Sequence, residues 1–161
     1  KKLNNKNVII EVIISIGWSH SRKGDYEETK KAFSRALDLA KKINDTNGIA
    51  GALNGMATIY DYTCDYDKKI EYHKEALELY KTIENKFGTL PILANLGDEY
   101  RFIGQYKKSL KCFHSILNIA EKDTNIFNYT IILSKVKCFN NFILFSSIHF
   151  STQHFPKLMV G

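Results

Sequence analysis

The sequence predicts an all-α solenoid built from antiparallel helical hairpins. Three observations carry that prediction. The triplets Gly24-Asp25-Tyr26, Cys64-Asp65-Tyr66 and Gly104-Gln105-Tyr106 recur at an interval of 40 residues. Between them the apolar residues step by three and four, which puts them on one stripe of a helix. In the same frame small residues return at Gly17, Ala57 and Gly97, where two helices have to approach closely. One hairpin leaves an apolar face bare, and stacking a neighbour on it covers that face. Such an array presents a surface rather than a reaction chamber.

The first unit spans residues 8–45. Its leading helix carries Ile13, Ile16, Gly17 and His20 on the buried stripe; the chain reverses at Gly24-Asp25-Tyr26, where glycine permits the backbone turn that ends a helix. The second helix buries Phe33, Ala36, Leu37 and Leu39. The second unit, 46–85, repeats this as Leu53, Met56, Ala57 and Tyr60, then Ile70, His73, Ala76, Leu77 and Leu79. The third, 86–123, does so as Leu93, Leu96, Gly97 and Tyr100, then Phe113, Ile116, Leu117 and Ile119. Ala36 and Ala76 are expected to let successive units stack. Beyond Asp123 there is no Asp or Glu, and Phe, Ile and Asn accumulate. Residues 124–161 are expected to form a degenerate fourth unit or a capping helix with an irregular tail. Asn125 to Lys137 still fits a first helix, but Leu144-Phe145-Ser146 stands where the turn triplet belongs. A tail not native to the fold, or one that touches a partner or a membrane, is the alternative.

The run of Leu96-Gly97, Tyr100, Gly24-Asp25-Tyr26 and Glu75-Ala76-Leu77-Glu78-Leu79 resembles the tetratricopeptide repeat family over residues 8–123. The resemblance implies a right-handed superhelix and a non-enzymatic protein–protein interaction module that binds a peptide or protein segment in its concave groove. The interval exceeds the family's repeat of about 34 residues. The extra positions fall at Asn44 to Gly48 and Glu84 to Gly88, where a longer second helix is expected. Long units of this kind are similar to those of kinesin light chains, Leu-Gly-Asn polarity scaffolds and bacterial peptide-pheromone receptors. A peptide-sensing regulatory domain cut from a larger signalling or transcription regulator is the alternative reading.

Removing the buried set from the first helices leaves columns of groove candidates. They are Ile14, Asn54 and Ala94; Ser15, Gly55 and Asn95; Trp18, Thr58 and Asp98; Ser21, Asp61 and Arg101; Arg22, Tyr62 and Phe102. Asn54 and Asn95 suit a peptide backbone, Arg22 and Arg101 suit carboxylates or phosphates, and Trp18, Tyr62 and Phe102 suit apolar anchors. Asn95 and Arg101 are expected to be exposed. Only one asparagine stands where the family's two-carboxylate clamp would need its set of Lys, Asn and Arg, so a chaperone adaptor of that type is not expected.

Lys and Arg number 23 against 17 acids, but the surplus is scattered among Glu and Asp rather than gathered into a stripe, so nucleic acid is not an expected partner. Cys64, Cys112 and Cys138 show no short paired spacing, which suits a reducing compartment, and the cytoplasm is the expected location. His20 and His73 occupy packing positions, His114 adjoins Phe113, and His149 and His154 belong to the tail. Asp61, Asp65 and Asp67 lack the Gly and terminal Glu of a calcium loop. No phosphate loop or nucleophile elbow is present, and neither enzyme activity nor a metal or cofactor is expected. A membrane enters only through the tail, where Lys135 and Lys137 interrupt the apolar run. The end of the array is a candidate for self-association.

Overall fold

The computed structural model describes residues 2–122. They form α1 (Lys2–Lys23), α2 (Tyr26–Lys42), α3 (Thr46–Ala57), a 3₁₀ turn (Thr58–Asp61), α4 (Tyr66–Thr82), α5 (Lys86–Phe102) and α6 (Tyr106–Lys122), with no strand among the described residues. The chain divides into a unit Lys1–Ile116 and a unit Leu117–Gly161. The packing and the site below belong to the first. Residues 124–161, with Cys138, His149 and His154, lie outside the described residues, and so does the expected fourth unit or cap.

The helices end where the sequence supplies a left-handed residue. Gly24 and Gly104 take φ of 79° and 75°. The amide of Asp25 then donates to the carbonyl of His20 (3.1 Å), and that of Gln105 to Tyr100 (2.7 Å), closing a Schellman turn. The same turn ends α2 and α4. There Asn44 and Glu84 take φ of 55° and 53°, and Asp45 and Asn85 donate back to Ala40 and Tyr80, each over 2.9 Å. Asp45 and Asn85 next serve as N-caps, accepting from the amides of Gly48 (3.1 Å) and Gly88 (2.9 Å). Each cap is worth about 1 kcal/mol. The positions Asn44 to Gly48 and Glu84 to Gly88 are therefore a turn residue, an N-cap and the first turn of the next helix, and do not extend α2 or α4, which end at Lys42 and Thr82.

α1 packs on α2, α2 on α3, α3 on α4 and α4 on α5, giving an all-α solenoid of stacked helix pairs. Phe33 is sealed between α1 and α3. A Cβ on Gly17 would stand 2.8 Å from its ring, and one on Gly55 closer still. Ile10, Ile13, Ala36, Ala40 and Ala52 continue this core. On α6, Ser109 donates to the carbonyl of Gly97 (2.6 Å), and Phe113 lies over that glycine as Phe33 lies over Gly17.

Three expectations are corrected. The leading helix of the second pair is not α-helical throughout. Thr58 Oγ1 donates to the carbonyl of Gly55 (2.7 Å) and tightens the last turn into the 3₁₀ form. Gly55 and Ala94 are buried packing residues, not groove linings, and Gly55 lies against the Phe33 ring of the preceding pair. Ile16, expected on the buried stripe, is 47% exposed. It lies on the side of α1 that corresponds to the stacking side of α3 and α5.

Candidate functional site

The 3₁₀ turn, α4 and α5 enclose a cleft of about 310 Å³ lined by Asp61, Tyr66, Lys69, Asn95, Asp98, Glu99 and Phe102. Its wall rests on the Asp65 N-cap of α4, whose carboxylate accepts from the Lys68 amide (3.1 Å). That bond, with help from the Lys68 ammonium, holds the Asp65 carboxyl below its ordinary range. Phe102 is exposed at the end of α5 and stacks on Tyr66 with centroids 6.0 Å apart. The Arg101 guanidinium lies 4.7 Å from the Phe102 ring centroid and 3.5 Å from Asp98.

Beneath the cleft runs a chain of charged and polar groups. Lys69 bonds Asp61, and its ammonium is 3.5 Å from Oε1 of Glu99. His73 Nδ1 pairs with Glu99 Oε2 at 3.0 Å and is 2.8 Å from Oε1, which lies off the line of a hydrogen bond. His73 Nε2 is in turn 3.5 Å from the Asn95 amide. His73 and Glu99 are both buried. Burial works against the Lys69 charge, but the bond to Asp61 and the pull of Glu99 outweigh it and raise the ammonium above its ordinary value.

Of the fifteen groove candidates, the cleft brings together Asp61, Asn95, Asp98 and Phe102. The rest lie elsewhere or at its rim. Trp18 packs edge-on against Phe33, with centroids 5.3 Å apart. Ser21 reaches Thr58 across the first two pairs (Oγ to Oγ1, 3.4 Å). Arg22 is exposed, and Tyr62, also exposed, stands edge-on to Tyr26. Asn54 is half-buried. Asn95 and Arg101 are half-buried too, rather than exposed, because one meets His73 and the other covers Phe102.

Lys69 and Glu99 did not stand out among the first-helix columns. The repeat frame nonetheless marks them. Lys69 occupies the place of Thr29 and Ser109, His73 that of Phe33 and Phe113, and Glu99 that of Ser19 and Ile59. Charge has replaced small or apolar residues at positions close together in space. His20, by contrast, is a boundary residue whose Nδ1 lies 3.2 Å from Asp25. A second hollow of about 280 Å³ lies between Tyr60, Lys68, Glu71, Tyr72 and Glu75, where Tyr60 and Tyr72 stack. Among the described residues no group of three or more His, Cys, Asp or Glu is placed to hold a metal, and no helix is long and apolar enough to cross a membrane.

Stacked helix pairs with a polar cleft between them define the class of helical-repeat interaction domains. A family model for the tetratricopeptide repeat matches residues 13–82 and again 48–122, and the chain belongs to that family. The fold is similar to that of the tetratricopeptide repeat domain of Arabidopsis FLU. The TM-score is 0.63 at 22% identity, over 73% of this chain and 99% of that one. No curated protein sequence matches the chain. Tetratricopeptide repeat domains generally mediate protein–protein interaction and are typically not enzymes.

Proposed function

We propose that this chain is a protein-interaction module that takes a peptide segment in the cleft between the 3₁₀ turn, α4 and α5. The observation that carries the reading is the placing of an exposed apolar ring, Phe102, beside Asp61, Asp98 and the Asn95 amide in one cleft. An aromatic anchor flanked by acids suits a peptide with an apolar residue next to Lys or Arg, and an amide in the wall suits its backbone. The acids Asp61, Asp98 and Glu99 face two cations, Lys69 in the cleft and Arg101 beside Asp98, which leaves an excess of one negative charge.

A library of random peptides displayed on phage tests this directly. Panning on the wild-type chain should enrich sequences that pair a basic with an apolar residue, and Phe102→Ala together with Asp61→Lys should abolish that enrichment while circular dichroism stays the same. No enrichment on the folded wild type, or enrichment indifferent to the two substitutions, would overturn the assignment.

A further inference from the structure

Within the cleft, Lys69 stands between a carboxylate at the surface and one in the interior. It bonds Asp61, whose side chain is 49% exposed, and its ammonium is 3.5 Å from Oε1 of Glu99, whose side chain is 3% exposed. That oxygen is buried and has no hydrogen-bond partner among the described residues, because the bond from His73 Nδ1 goes to Oε2. A charge-assisted bond to it would be about 2.8 Å long, so the ammonium falls short by about 0.7 Å. Lys69 thus has a second berth within reach, and the berth is empty of donors.

The repeat has no need of a lysine here. Forty residues before and after, the same place holds Thr29 and Ser109, both buried. Each hydroxyl donates to a backbone carbonyl over 2.6 Å, Thr29 to Asp25 and Ser109 to Gly97. A short hydroxyl residue closes the packing at that place, whereas a lysine brings a charge whose desolvation its carboxylates have to offset. The ammonium also occupies the carboxylate that a basic ligand would seek. Asp98 is held differently, since its partner Arg101 lies over the Phe102 ring as well.

We propose that Lys69 is a displaceable counter-ion: a basic side chain of the bound peptide takes Asp61, and the Lys69 ammonium moves onto Glu99 Oε1. This rests on the cleft being the peptide site. Asp61 is then the carboxylate that reads the ligand's charge, and Lys69 competes with the ligand for it. Glu99 is a positioning residue that touches Lys69 and not the peptide. Because the displaced ammonium gains a partner as it loses one, releasing Asp61 costs less than breaking an ion pair into the interior. The incoming cation also cancels the cleft's excess negative charge.

The probes are the peptide most enriched by panning and its twin with the basic residue made neutral, citrulline for arginine or norleucine for lysine. Fluorescence anisotropy on the full chain should show Lys69→Met binding the basic peptide at least about threefold more tightly, as expected for removal of a competing ion pair. The neutral twin should gain nothing. Lys68→Met removes the same charge from a neighbour that pairs with Asp65, and should change affinity less. Glu99→Gln, which takes away the second berth, should weaken the basic peptide. Should Lys69→Met misfold, Lys69→Met with Glu99→Gln replaces it, with the same gain expected. Without peptide, a crystal structure of Asp61→Asn should place the Lys69 ammonium within about 3 Å of Glu99 Oε1. Capture that Lys69→Met weakens, an equal gain for the neutral twin or from Lys68→Met, or an Asp61→Asn structure with the ammonium turned to solvent would each overturn the displacement and leave the cleft reading standing. Capture of neither peptide by any of these proteins would overturn the cleft reading and the displacement together.

Discussion

His73 Nδ1 lies 2.8 Å from a carboxylate oxygen of Glu99, and both side chains are buried between α4 and α5. The corresponding place in the first pair is filled by Phe33 lying on Gly55, so the two interfaces solve one packing problem in different ways. Where the first joins a large ring to a glycine, the second joins a smaller ring to Asn95 and adds Glu99. His73→Phe alone should cost about 2–4 kcal/mol, since it crowds Asn95 and leaves the Glu99 carboxylate short of a partner. His73→Phe with Asn95→Gly and Glu99→Ile imports the solution of the first interface and should recover most of that loss. Urea unfolding of the two variants decides it. A triple variant no more stable than the single one would mean that the two interfaces are not equivalent.

Alkaline pH should destabilise the fold. Burial, helped by the nearby Asp45, raises the Tyr80 phenol above its ordinary 10.0. Lys69 lies above 10.5 despite its burial, through Asp61 and Glu99. A group with a raised folded pKa contributes stability that is whole below its unfolded value and is lost as pH rises through the folded one. Both groups act in the same direction, so the melting temperature should stay level through neutral pH and fall above about 10. Tyr80→Phe should make the fall shallower. A melting temperature that rises between pH 9 and 11 would contradict the assignment of both groups.

Two glycines should fail for different reasons when replaced by alanine. At Gly55 the new methyl meets the Phe33 ring, and overpacking of this kind costs about 1–3 kcal/mol. At Gly104 no heavy atom lies within 4 Å, but φ is 75°, and a left-handed alanine costs about 1–2 kcal/mol. Phe33→Leu should rescue part of the first loss and none of the second. Thermal melts of the three single variants and the two double variants check this, and equal rescue at both sites would refute the distinction.

The hairpins were legible because one frame repeats both their stripes and their turns. Gly24 and Gly104 advertise the reversal, and the alternation of Gly17 with Phe33 and Gly97 with Phe113 marks the close contacts. The cleft was legible only in part. Asp61, Asn95, Asp98 and Phe102 fall in columns of the first helices, but Lys69 comes from a second helix and enters the site because its long side chain reaches across to Asp61 and Glu99. Subtracting an average buried set also assumes that every unit is packed alike. Gly55 and Asn95 share a column yet do different things, since one accommodates Phe33 and the other meets His73. Ile16 and Leu96 share another, yet Ile16 is exposed and Leu96 is buried.

Binding and stability should separate within the cleft itself. Phe102 is 63% exposed and, when cut to alanine, loses its stacking on Tyr66 and its contact with the Arg101 guanidinium, a change of about 0.5–1.5 kcal/mol. Asn95→Ala, on the same helix about two turns away, withdraws an amide from His73 and opens space beside the Glu99 carboxylate, so it should cost about 1–3 kcal/mol. Phe102→Ala should therefore abolish capture of the enriched phage peptides with little change in melting, whereas Asn95→Ala should lower melting and capture together. Differential scanning fluorimetry beside a binding titration reads both axes. If Phe102→Ala melts the fold as strongly as Asn95→Ala does, the ring is part of the packing between α4 and α5 and not a ligand anchor.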